Sequence, residues 1–238
     1  MVDFSKLSDE RIESLAEAGA EVLEVFRVLA KSGDNVVGEL LRDTGTFYEW
    51  DHYPAGDVYD SETHSQYYYH AHPADERPGE HGHFHTFVRP KGMPKDMKPA
   101  PLDDYEPPED PDDELSHLIG ISMDPQGLPI RLFTTNRWVT GEIWYAPEDV
   151  ITLVDRFDID LAHPSWPVNR WITGMVRLFS PQIAKLVHAR DARIAELEKA
   201  HTGEESVYED RDIEVTSFLD VVIDDQIAAI NKEIERRG

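Results

Sequence analysis

Apolar positions near the start of the chain repeat with a helical period. Ile12, Leu15, Ala16, Val22, Leu23 and Phe26 fall on one side of a helix that Ser8 can cap, and "SGDN" stops it after Lys31. Gly19 lies on the same side, where it lets a neighbouring element pack close. A short second helix is expected over Val36 to Arg42. The stretch "GTFYEWDHYPAGDVYDSE" is aromatic and rich in turn formers, and reads as a loop with a short extended piece before Pro54. The period then changes to two. "HSQYYYHAH" is β-prone through its three consecutive tyrosines, "PADERPGE" is a loop, and "HGHFHTFVR" alternates as a second strand.

Residues 90–114 hold seven of the chain's sixteen prolines and resist both helix and sheet. This segment is expected to be an extended connector or a flap over a site. "HLIGISMD", the turn "PQG" and "LPIRLFTTNRWVTG" predict a β-hairpin. "APEDVITLVDRFD" predicts a helix with Pro147 in its first turn. Two further helices follow, one opened by Ser165 and Pro167, the next by Ser180 and Pro181 and ended by Gly203. "RDIEVTSFLDVVIDD" fits either a strand or the start of a helix that runs to "IERRG". Helices, then strands, then helices predict an α+β fold, with an antiparallel sheet of four or more strands flanked by N-terminal and C-terminal helices in a single domain over 1–238.

Charge narrows the function classes. The formal net charge is −25, which repels phosphate backbones and anionic lipid, so no nucleic-acid or membrane partner is expected, whereas a small-molecule substrate is compatible. With no Cys, any metal must be held by nitrogen and oxygen. No apolar run approaches a bilayer span and "MVDFSKLSDERIE" lacks a signal core, so the expectation is a cytoplasmic protein.

Residues 67–87, "YYYHAHPADERPGEHGHFHTF", concentrate five of the eleven histidines: His70, His72, His81, His83 and His85. Residues two apart share a face of a strand. If the two strands pair antiparallel with an odd register sum, such as His70 opposite His83 and His72 opposite His81, all five imidazoles meet on one face. The opposite face then carries Tyr67, Tyr69, Ala71, Phe84, Thr86 and Val88, a suitable core set. Clustered cationic imidazoles repel, and clustered neutral ones need partners when buried. A divalent metal ion relieves both costs, with Zn, Fe, Mn, Ni or Cu all compatible with the donors. Glu80 is the adjacent carboxylate, as ligand or general base. His52, His64 and His117 stand where they could join.

"HGHFHTF" resembles the histidine-triad signature of nucleotide hydrolases and transferases. That resemblance implies His83 as nucleophile, with His81 and His85 orienting it, although Gly82 and Thr86 replace apolar positions of the signature. "HAH" followed by Glu76 or Glu80 resembles the first metal-binding motif of cupins. Arg137 and Arg89 are candidates to hold a substrate carboxylate or phosphate, and Tyr68 shares the His70 face. The expected catalytic groups are Glu80 and Arg137, beside a metal held by the histidines. The expected function is a metal-dependent hydrolase or oxygenase acting on a small molecule. The alternatives are nucleotidyl transfer through His83, or a non-catalytic metal-binding protein.

Overall fold

A computed structural model describes residues 2–203 and 206–238. The first helix, α1 (Asp9–Ala30), starts where Ser8 accepts a hydrogen bond from the Arg11 amide at 3.2 Å, and it buries Ile12, Leu15, Ala18, Gly19, Val22, Val25 and Leu29. Leu23, expected on that stripe, is exposed, and Val25 and Leu29 take its place. Gly19 does admit a neighbour. A Cβ there would lie 3.1 Å from the Ile227 side chain, which would have to give by a few tenths of an ångström to admit a methyl group. After α2 (Val36–Leu41) come the strands β1 (Tyr53–Tyr59), β2 (Ser65–His70), β3 (Gly82–Val88), β4 (Ser116–Met123) and β5 (Pro129–Thr135). Helices α3 (Arg137–Thr140), α4 (Pro147–Val154), α5 (Trp166–Leu178) and α6 (Ser180–Ala200) follow, then β6 (Val215–Asp220) and α7 (Ile223–Arg237). The six strands form one antiparallel meander in chain order. The fold is α+β, with helices at both ends.

Three local expectations are corrected. Residues 53–59 form a strand rather than a loop, because they pair with β2 across a bulge despite Pro54 and Gly56. The strand expected to run through Asn136 and Arg137 stops at Thr135. The Asn136 side chain accepts from the Arg137 amide and opens α3, which Gly141 closes at φ +63°. Helix α6 ends at Ala200, before Gly203. The ambiguous C-terminal stretch is a strand and then a helix.

The two faces of the sheet do different work. Tyr67, Tyr69, Phe84, Val88, Ile119, Ile121, Met123 and Leu132 join the main core with the helices. Phe84 packs 5.4 Å from Trp171 of α5, and the Tyr67 hydroxyl donates to Asn169 at 2.6 Å. The opposite face carries Tyr68, His70, His83, His85, Phe87 and Phe133 and is covered by loops. Residues 90–114 form two short 3-10 turns in an extended segment. Met93 and Met97 of that segment pack on the main core, while Ala100 and Leu102 pack on a second cluster around Trp144 and Tyr208. Among the described residues no helix is long and apolar enough to cross a membrane.

Candidate metal centre

Register brings the imidazoles together. β2 and β3 pair with His70 opposite His83 and Tyr68 opposite His85, the odd sum that gathers histidines on one face. His83 then lies opposite Ser122 of β4, and His85 opposite Gly120. Gly120 faces Phe133 of β5, and a Cβ there would come within 2.4 Å of the Phe133 ring. The absent side chain is what lets that ring meet His83 and His85 edge to face, at centroid distances of 5.2 and 5.7 Å.

His70, His72 and His83 each offer a ring nitrogen, and these atoms lie within 4.8 Å of one another; this is the one such group among the described residues. His70 Nε2 and His83 Nε2 are 2.6 Å apart. Two nitrogens at that distance share a proton. His72 lies just past the end of β2, covered by Trp50 with ring centroids 4.1 Å apart, and its Nδ1 is 3.4 Å from Glu76. The Glu80 carboxylate accepts from His83 Nδ1 at 2.6 Å, which fixes the tautomer and points the Nε2 lone pair at His70. Burial pulls the His70 pKa down to about 2, reinforced by His83 and His72. Burial also lowers His83, although Glu80 opposes it, and lowers His85 well below the usual value. Burial alone would raise the Glu80 carboxyl, but His83 and Arg77 outweigh it and the pKa falls. These imidazoles are therefore neutral near pH 7, the form that ligates a metal.

His85 is fully buried. Its Nδ1 meets His117 Nε2 at 3.0 Å, and His117 Nδ1 meets the Thr135 hydroxyl at 3.3 Å. Its Nε2 is buried without a hydrogen-bond partner. If His117 donates to Thr135, His85 donates to His117 and its Nε2 carries a lone pair, ready for a cation. The reverse order leaves a buried, unpaired N–H, at a cost of about 1–3 kcal/mol. The donor set and the orphaned nitrogen both fit a divalent metal ion.

His81 departs from the other four. Strand β3 begins only at Gly82, and His81 turns to the helix-facing side, where its Nδ1 and the Tyr69 hydroxyl share a hydrogen bond of 2.6 Å beside Phe47. Arg137 lies elsewhere, held by Glu209 at 2.8 Å and Asp104 at 2.5 Å. Arg89 binds Gln66 and Asp113. His52 stacks on Tyr68 at 3.6 Å and comes within 5.8 Å of His70, while His64 pairs with the Tyr59 hydroxyl. Arg77 is the residue that sequence reasoning missed. Its guanidinium lies over Phe133 and 3.6 Å from Glu80, and it is bonded to Glu214 of the segment before β6. Only its place in the loop between the two histidine groups could have marked it. Arg77, Glu80, Ser122 and Phe133 line a pocket of about 530 Å³ beside His83.

The family model described as "Domain of unknown function (DUF6969)" matches residues 16–221, which include every strand and the whole histidine cluster. No curated protein and no solved structure matches the chain. By the extent of that match, the chain belongs to the DUF6969 family.

Proposed function

We propose that the protein holds a divalent metal ion through His70, His72 and His83, and uses it as a hydrolase or oxygenase on a small molecule. The observation that carries this reading is the convergence of three imidazole nitrogens within 4.8 Å, with Glu80 fixed on the far nitrogen of His83. A bound cation supplies Lewis acidity and lowers the pKa of a coordinated water. Glu80 keeps the His83 proton on Nδ1, and Arg77 closes the pocket above Glu80 and Phe133. Substrate enters by the 530 Å³ pocket that Glu80 and Arg77 share. Use of His83 as a nucleophile is less well supported. Its Nε2 faces His70, the residue is 1% exposed, and His81 turns away.

A closed, non-catalytic site is the second reading. His85 favours it, since its ring lies 4.8 Å from His83 and 5.3 Å from His70 and its Nε2 has no partner. Elemental analysis of protein purified without a histidine tag or nickel resin tests the metal. The expected result is near-stoichiometric Zn, Fe, Mn, Ni or Cu, lost in His70→Ala/His72→Ala. Metal-free protein that takes up none of these on dialysis would overturn the reading. Azide-induced spectral change in the cobalt(II) form distinguishes an open site from a closed one.

A further inference from the structure

The connector over residues 100–106 covers a second cavity, of about 820 Å³, whose other walls come from residues 137–144 and 206–211. The walls are tied together. The Ala100 amide donates to the Trp144 carbonyl at 2.8 Å, Asn136 Nδ2 to Val207 at 2.9 Å, and Trp138 Nε1 to Ile213 at 2.8 Å. Arg137 is not free to receive an anion, because Asp104 and Glu209 already neutralise it.

Glu142 lines this cavity and is 2% exposed. Its Oε2 accepts from the His117 amide at 2.9 Å, while its Oε1 is buried with no hydrogen-bond partner. The nearby Arg190 does not supply one. Its donors go to the Tyr145 carbonyl and Asp191, and its guanidinium lies on Trp144 at 3.9 Å. A buried carboxylate with an empty oxygen asks for a donor, preferably a charged one. Around it stand Trp138, Trp144 and Tyr105, aromatic walls of the kind that hold organic cations. Arg211 lies 4.6 Å from the Trp138 ring, so one face of this indole already carries a cation of the protein itself.

We propose that this cavity is a binding site for a small organic cation, an ammonium group on a flat apolar body that donates to Glu142 Oε1. The site is separate from the histidine cluster and does not depend on the metal reading.

The test uses the full chain, stripped of metal so that no amine can bind as a metal ligand, at pH 8. Phenethylamine, phenethyl alcohol and phenylacetate are titrated by calorimetry and by tryptophan fluorescence. Phenethylamine is expected to bind at least about tenfold more tightly than the alcohol, the ratio that one charge-assisted hydrogen bond supplies, with no binding of phenylacetate. Glu142→Gln is expected to remove that preference. The proposal is overturned if the alcohol or the acid binds as well as the amine, if Glu142→Gln leaves amine affinity unchanged, or if no amine binding is seen at about 10 mM. Should the variant fail to fold, the comparison of the three probes on the native chain decides the matter alone.

Discussion

Replacing Glu80 probes the centre without removing a ligand. The carboxylate accepts the His83 Nδ1 proton at 2.6 Å, and both side chains are largely buried, at 10% and 1% exposure. In Glu80→Ala the imidazole loses its fixed tautomer and its charged partner together, and a water entering from the adjoining pocket replaces only a neutral acceptor. Loss of such a supporting carboxylate typically costs 10–100-fold in metal affinity, or about 1.4–2.7 kcal/mol. The burial of His83 places the alanine variant at the upper end, near 100-fold. Glu80→Gln keeps an oxygen that can accept from Nδ1 but loses the charge, so roughly tenfold is expected. Competition with a chromophoric chelator for zinc or cobalt measures both. Alanine affinity within about threefold of native, or a glutamine variant weaker than the alanine one, would refute the reasoning.

Two further outcomes test the surroundings. Gly120→Ala should destabilise the protein by about 2 kcal/mol in urea unfolding, although alanine in a strand interior is usually favoured over glycine, because the new methyl overlaps the Phe133 ring; equal or greater stability would show that the ring is free to move. Burial lifts the Glu142 carboxyl from 4.5 to about 7, against Arg190, with Asp191 and Arg137 as its other charged neighbours. Between those values the folded chain binds more protons than the unfolded one, so Glu142's contribution to stability falls by about 3 kcal/mol as pH rises from 4.5 to above 7. The stability of native protein relative to Glu142→Gln, measured by urea unfolding, should fall by about 2.5 kcal/mol from pH 5 to pH 8, and an unchanged difference would be evidence against the buried charge.

Much of this architecture is legible in the residues, and the failures have physical causes. The period-two runs of Tyr67, Tyr69, Phe84 and Val88 point to one core face, and that requirement alone selects the register that gathers His70, His83 and His85. His81 escapes the pattern because alternation holds only while the backbone stays in the strand, and β3 begins one residue later. β1 was hidden by Pro54 and Gly56, which discourage a regular strand but are tolerated in an edge strand with a bulge. Asn136 reads equally as a strand residue or a cap, and its hydrogen bond to the Arg137 amide decides for the cap. Arg77 was invisible because its role depends on Glu214, which lies 137 positions away in the chain.

The histidine layer raises an energetic question that hydrogen bonds do not answer. An antiparallel sheet with helices on one face usually turns a polar, hydrated face to water. Here that second face is polar and yet buried, with His83, His85 and His117 at 2% exposure or less. Glu80 satisfies one nitrogen of His83, and Thr135 and His85 account for His117. What remains is the inward nitrogens of His70, His72 and His83, with the unpaired His85 Nε2 beside them. Protonating these rings would place like charges in a low-dielectric layer, and in the neutral form one shared N–H satisfies the His70–His83 pair at 2.6 Å but leaves the His85 Nε2 unpaired. A divalent cation removes both penalties at once. The net charge of −25 also favours its approach. A purely structural role would be served as well by the apolar residues that fill the other face. Four imidazoles buried together at this cost are what the metal proposal accounts for.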